Sequence, residues 1–314
     1  MKRKTAWLIL LLMCVLILLP SGGCAQDKST GGDRVGDGAY LLTVDGYGVT
    51  EEEFLLFLSG QKAVAANYFW TKYQVQPDAD FWTTAVNGET PIEYAKEQAL
   101  DALVESKITF IMAAERGILD YQDYDGLLES MEEENADRAR KLENGEVVYG
   151  LSQFTPFTYY QYLNQNAGAE LEYSQRELID PSREELRQTY EAYKELFSLG
   201  TVYVYEAVYE DGSRETVSQS SLEVAKEDTV TQFLLEEFEQ MECGQAVSGV
   251  RVDGRQADIV LVEKQFQGYA ELDAVEDSVR ALYAREAISE LIQARAQEAQ
   301  VEIDQERFDA ITMP

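Results

Sequence analysis

The sequence predicts an α+β protein, mainly helical, with one small module that contains strand. Apolar residues recur at helical spacing through most of the chain up to about residue 198. An alternating run, LGTVYVYEAVYEDG at 199–212, then interrupts the helices, and a long helical run returns after residue 271. The 314 residues allow about two domains.

The chain opens on Lys2, Arg3 and Lys4, followed by an uncharged apolar stretch from Ala6 to Leu19. That is the geometry of a secretory leader rather than of a stable membrane span. SGGC at 21–24 places small residues before Cys24, as lipoprotein signal peptidase requires, so residues 1–23 are expected to be removed and Cys24 to carry a lipid. Ser21 stands where such sites usually carry an aliphatic residue, and ordinary secretion is the alternative. Residues 24–38, rich in Gly, Ser and Asp, offer nothing to bury and read as a flexible tether. The expected location is extracytoplasmic, on the outer face of the cytoplasmic membrane.

Next comes YLLTVDGYGVTEEEFLLFLSGQ at 40–61, with a strand-like segment, a turn at DGYG and a helix start. Thr50 is the expected cap, Glu53 the reciprocal half of a capping box, and Phe54, Leu55, Phe57 and Leu58 follow. A second helix follows Pro91, with Leu100, Leu103, Val104, Ile108, Ile111 and Met112 at helical spacing and Gly117 ending it. A third spans about Tyr124 to Glu143 with a solvated charged face. In DPSREELRQTYEAYKELF at 180–197, Pro181 is expected to start a helix with Leu186, Tyr190, Tyr193 and Phe197 on its apolar side.

Charge bounds the partners. The chain holds 58 acidic and 26 basic residues, a net −32; removing Lys2, Arg3 and Lys4 leaves 23 basic against 58 acidic, or −35. Nucleic acid and bare anionic lipid are poor partners, because binding either rests on Lys and Arg displacing counterions. Basic or unfolded polypeptides suit this surface better, and solubility alone is the competing account of it. Of three cysteines, Cys14 leaves with the leader and Cys24 takes the lipid, so Cys243 remains the single thiol and no disulfide is expected. Beside Met241 it reads as a small buried hydrophobe, with no histidine in the chain to activate it.

Three segments in order, VDGYGVTEEEF, EQALDALVESKITFIMAAERGI and PSREELRQTYEAYKELF, resemble hallmarks of the SurA-like and PrsA-like foldases. In that family a helical chaperone domain is combined with a parvulin-type prolyl isomerase. LDAVEDSVRALYAREAISELIQARAQEAQVEID at the C-terminus is similar to the family's closing helix and short strand. The resemblance implies a helical domain from residues 39–198 and 268–314, with a parvulin-like α/β insert at 199–267. VYVYEAVY stands at the place of the insert's first strand, while Gly244, Ser248, Gly249 and Ile259 to Val262 match its closing turn and last strand. Parvulins of this kind typically carry a histidine in the first strand and another in the last. Here Tyr205 or Glu206 stands near the first position and Asp258 near the second. Between the insert's two ends the sequence suggests one helix. The implied role is binding of unfolded exported polypeptides without isomerisation. Because isomerisation needs a shaped apolar pocket more than a titrating base, an active isomerase with an atypical pocket is one alternative. A lipoprotein that binds one dedicated envelope partner is another.

A chaperone needs exposed apolar side chains rather than catalytic groups. Aromatics punctuate the early helices at Tyr68, Phe69, Trp70, Tyr73, Phe81 and Trp82, and again at Phe154, Phe157, Tyr159, Tyr160 and Tyr162. In FTPFTYYQYL the rings crowd too closely to face one core, so Phe154, Phe157, Tyr159, Tyr160 and Tyr162, with Trp70 and Trp82, are the expected client contacts. No metal or cofactor is expected. YQDYDGLLESME at 121–132 matches a calcium loop at several positions but carries Tyr121 where the first carboxylate belongs. A chain without histidine also excludes a Ser-His-Asp triad and zinc sites with histidine ligands.

Overall fold

The computed structural model describes residues 40–120, 123–225 and 228–314. The leader, Cys24, the expected tether and Tyr121 lie outside the described residues. Among those described, no helix is long and apolar enough to cross a membrane.

A hairpin opens the fold: β1 (Leu42–Val44) pairs antiparallel with β2 (Tyr47–Val49) through Asp45 and Gly46, both at positive φ, as a two-residue hairpin turn requires. Gly48 cannot be exchanged for another residue without movement, since an added Cβ would fall 2.3 Å from the Tyr40 ring. Thr50 caps α1 (Glu51–Gly60), its hydroxyl accepting from the Glu53 N–H at 3.1 Å. Then come α2 (Lys62–Tyr73), α3 (Pro91–Glu115), α4 (Tyr124–Glu143) and α5 (Pro156–Leu178). As expected, α3 stops at Gly117, where positive φ lets the Ile118 N–H reach back to the Ala113 carbonyl. Asp123 caps α4 by accepting from the Gly126 N–H, so that carboxylate serves a helix start.

α6 (Arg183–Ala192) is shorter than the sequence suggests and starts differently: Ser182, not Pro181, begins it, in a capping box with Glu185. The helix breaks at Tyr193 and a 3₁₀ turn over Lys194–Phe197 follows, which brings Phe197 back to stack on Tyr190 at 5.6 Å. Residues 199–267 then form a second sheet. β3 (Thr201–Tyr209), β4 (Arg214–Ser220), β5 (Ala246–Val252) and β6 (Arg255–Phe266) lie in the order β4-β3-β6-β5, all antiparallel. α7 (Thr229–Gln240) covers one face, setting Leu234 and Phe238 on Tyr203, Tyr205, Ile259 and Leu261. β4 corrects the expectation of a helix alone between the ends of this segment; RETVSQS is a polar edge strand with no apolar alternation to betray it. Cys243 is also corrected: it is exposed, because the chain reverses there from α7 into β5.

α8 (Leu272–Glu298) runs back along the helices, β7 (Val301–Ile303) joins β1 with Leu42 opposite Ile303, and α9 (Gln305–Ala310) closes the chain. Val279 of α8 packs with Leu186 and Tyr190, while Ile288 and Ile292 enter the large core formed by α1, α3 and α5. The strand module has its own core and joins the helices through two paired segments, in which the Leu199 N–H meets the Gly268 carbonyl and the Ala270 N–H the Phe197 carbonyl. Gly200 sits in that neck at positive φ, where an added Cβ would strike Leu222 and Ser221 at 2.7 Å.

The large core encloses an ion pair. The Glu53 carboxylate, expected to turn back to the Thr50 backbone, instead points inward to Lys107 Nζ at 2.8 Å, with both side chains out of solvent. Tyr160 donates its hydroxyl to the same Glu53 oxygen at 3.0 Å, and its ring stands edge-on to Phe57 and Phe110, each 5.3 Å away. α1, α3 and α5 are thus tied at one point. Lys107→Met is expected to cost about 3–5 kcal/mol in urea unfolding, because a buried carboxylate is left without its cation. Glu53→Leu with Lys107→Met and Tyr160→Phe should recover most of that loss. A single-variant loss under about 1 kcal/mol would show that the pair is not the tie.

Candidate functional site

α5 begins at a Thr155–Thr158 capping box with Pro156 in the first turn, and this start decides where its crowded rings go. Helical spacing puts Phe157, Tyr160, Gln161 and Asn164 towards α1 and α3, and Tyr159 and Leu163 towards α4. On the first side a groove of about 440 Å³ runs between α1, α3 and α5. Tyr160 and Phe57 line it together with Leu56, Ala102 and Phe157, while Gln61, Gln161 and Asn164 add amides suited to a peptide backbone. On the second side Phe110, Leu119, Leu127, Tyr159 and Leu163 enclose about 310 Å³. Both grooves can take apolar side chains of an extended chain.

The expected contacts divide by burial. Phe154, Tyr159 and Tyr160 are core residues, which corrects their assignment to the surface. Asn135 holds both the Phe154 N–H and carbonyl, at 2.7 and 2.9 Å, and the Arg138 guanidinium lies 4.6 Å from the Phe154 ring. Burial, aided by Glu134, pushes the Tyr159 hydroxyl up from its ordinary pKa. Phe157 and Tyr162 remain exposed at 39 and 38%, Tyr162 leaning on Phe154 at 5.1 Å. Trp70 is exposed on α2, and Trp82 is half-buried against Phe81, lining a third groove of about 690 Å³ with Ile92, Phe308 and Met313. In that groove burial lowers the Lys96 ammonium from its usual pKa, and its Nζ donates to the carbonyls of Phe308 and Asp309 at 2.7 and 3.1 Å.

The other early aromatics are structural. Phe69 and Phe81 are buried, and Tyr68 stacks on Tyr94 at 4.1 Å. Glu89 accepts from the hydroxyls of Tyr68 and Tyr73 and from Lys72, each at 3.0 Å; Lys72 above all holds its carboxyl below the usual range. One exposed apolar segment escaped the sequence reading: Val147, Tyr149 (85% exposed) and Leu151 lie in irregular chain after Gly145. Arg138 braces it by donating to the carbonyls of Tyr149 and Leu151 at 3.0 and 2.8 Å. Its signal was a break in helical spacing after Asn144 and Gly145, with apolar residues continuing.

In the strand module, of the two residues near the first matched position, Tyr205 lies on the face opposite Asp258 and Glu206 on the same face as Asp258. Tyr205 lies buried under α7, 5.2 Å from Phe238, and burial raises its hydroxyl pKa. Glu206 and Asp258 occupy the opposite face, Glu206 paired with Arg214 at 2.8 Å and Asp258 accepting from the Gly249 N–H at 3.1 Å. Among the described residues, no group of three or more His, Cys, Asp or Glu is placed to hold a metal ion.

No family model matches the chain. The chaperone for lacto-N-biosidase of Bifidobacterium longum is 27% identical over 114 residues, 36% of this chain and 41% of that protein, so the chain spans about two-fifths of that relative. A SurA-like chaperone of Campylobacter jejuni is similar over 84% of this chain and 99% of its own, at 13% identity and a TM-score of 0.33. The foldase protein PrsA of Streptococcus pneumoniae is similar over 72% and 96%, at 9% identity and a TM-score of 0.25. These scores lie below the level at which two chains share a fold, so the functional reading rests on this chain's own geometry.

Arg138→Ala is expected to free the segment around Tyr149, raising its chymotrypsin cleavage rate about tenfold while helix content by circular dichroism is unchanged. An unchanged cleavage rate would reject the brace.

Proposed function

We propose that the protein is an extracytoplasmic chaperone that holds unfolded exported polypeptides and limits their aggregation, without prolyl isomerase activity. One observation carries this reading: Phe157 stands exposed at the edge of an apolar groove and Tyr162 stands exposed against Phe154 on the same helix, while the neighbouring rings Phe154, Tyr159 and Tyr160 are fixed in the core. Exposed rings on a rigid support bind apolar side chains at small entropic cost. Phe157 and Tyr162, with Trp70 and Trp82, are the client contacts in this account. Residues 39–198 and 268–314 form the holding body, and 199–267 a degenerate parvulin-like insert. The burial of Tyr205 away from Asp258, and the local pairing of Glu206 with Arg214 and of Asp258 with the Gly249 N–H, support an insert without catalysis. A dedicated client is the second reading, favoured by the Bifidobacterium relative, a chaperone for lacto-N-biosidase.

The test adds full-length protein to the proline-limited refolding of several unrelated proteins. The expected result is a slow phase of unchanged rate, with aggregation falling only near equimolar amounts; Phe157→Ser with Tyr162→Ser should abolish most of that protection. Acceleration at substoichiometric amounts would establish an isomerase and overturn the proposal. Protection of a single client among many would favour the dedicated reading.

Attachment to the membrane through a lipid on Cys24 is part of the proposal, supported by the leader and the small residues before that cysteine. Cys24→Ala is expected to move the protein from the membrane fraction to the soluble one. Retention of the variant in the membrane fraction would remove the anchor from the account.

A further inference from the structure

α3 lies at the centre of the helical body and shows solvent one narrow stripe. Between Pro91 and Ala113 its exposed residues are Glu93, Glu97, Asp101 and Glu105. They recur every fourth residue, so at 1.5 Å per residue they stand about 6 Å apart and span about 18 Å. Both lysines of α3 turn inward, Lys96 to the carbonyls of Phe308 and Asp309 and Lys107 to Glu53. Among the described residues no ion pair reaches any of the four carboxylates. Like charges at this spacing work against the helix that carries them.

The stripe runs through apolar grooves. Glu105 lines both the groove under Phe157 and a groove of about 500 Å³ between α3, α8 and β7, and Leu100 is shared by that second groove and the one at Trp82. The three form one track along α3, apolar in the grooves at Phe157 and Trp82, mixed between them where Gln293 and Gln297 join Leu100, Val104 and Val301, and acidic along its length. Glu93 accepts from the Thr90 hydroxyl, but a neutral apolar chain would leave all four carboxylates beside it without a counter-charge, and an acidic one would be repelled.

We propose that this track receives an extended polypeptide segment that is apolar and basic, with Lys or Arg at alternate positions. Alternate residues of an extended chain are about 6.6 Å apart, close to the spacing of the carboxylates, so four of them match about seven residues of client. Basic side chains turn to the stripe, and the apolar ones, on the opposite side of the extended chain, meet the groove walls across from α3. The inference rests on the chaperone reading and names the segments such a chaperone prefers.

The test measures fluorescence anisotropy of labelled seven-residue peptides with the full-length protein. One peptide alternates Lys with Leu or Phe; two others carry Gln or Glu in place of Lys. The track variant is Glu93→Gln, Glu97→Gln, Asp101→Asn and Glu105→Gln. A control variant removes the same charge elsewhere: Glu236→Gln, Glu237→Gln, Glu239→Gln and Glu242→Gln. The lysine peptide should bind the track variant about tenfold more weakly or worse, and the control variant within about twofold of the original. The glutamine peptide should not distinguish the proteins, and the glutamate peptide should bind least. Equal losses in both variants would assign the preference to the whole molecule's field, and no loss in the track variant would remove the stripe from binding; either overturns the inference. If aggregation is still suppressed while the lysine peptide fails to bind, the inference falls alone. If neither occurs, the chaperone reading falls with it.

Discussion

The arrangement of α1, α3 and α5 around the groove at Phe157 depends on one buried ion pair. Glu53, Lys107 and Tyr160 come from three distant parts of the chain and meet where no water reaches. Such a pair adds little net stability, since taking two charges out of water offsets most of their attraction. What it does is penalise any arrangement of α1, α3 and α5 that separates the charges. Because Tyr160 is fixed by both its hydroxyl and its ring, α5 cannot rotate, and Phe157 one turn earlier is held at the groove's edge. The second Glu53 oxygen has no hydrogen-bond partner among the described residues, a desolvation cost that lowers the pair's net contribution to stability further.

The same pair marks the limit of what the sequence disclosed. Helical spacing was enough to locate α1, the core of α3 and the span of α4, because burial repeats along each helix with its own period. Glu53 obeyed a local rule, third after a Thr cap, and its true partner lay 54 residues away in a helix whose lysine gave no sign of being buried. α5 was hidden for a related reason. Thr155, Pro156 and Thr158 spelled a helix start, yet the rings that follow point to both sides of the helix and blur its apolar stripe. Crowding correctly signalled that not all rings share one core, but which ones face outward depended on the neighbours of α5. β4 was invisible because an edge strand needs only backbone pairing on one side, and RETVSQS supplies that without apolar residues.

The strand module keeps the framework of a sheet under a helix, with its own core. Its two connections lie side by side, so the chain enters and leaves through one neck, where Tyr269 donates to Glu195 at 2.6 Å and Tyr190 to the Ala270 carbonyl at 2.8 Å. A module with its own core, joined to the helices at this neck, can be altered inside without disturbing theirs. Alternation along β3 and β6 sets Tyr205 on one face of the sheet and Glu206 with Asp258 on the other. Tyr205 faces Phe238 and belongs to packing, whereas Glu206 and Asp258 point away from it and pair locally.

Exposed apolar groups such as Tyr149, Val147 and Phe157 normally drive a protein to associate with itself. Here 58 acidic residues against 26 basic ones oppose that association, because two copies of the same surface repel. The repulsion is screened over about 8 Å at physiological salt, so it acts only where carboxylates border the apolar groups themselves. That condition is met where it matters: Glu105 edges the groove under Phe157, Asp120 the groove against α4, and Glu93, Glu97 and Asp309 the groove at Trp82. Composition alone could report the charge, but only its placement explains how an apolar surface stays open to a chain that is not its own copy.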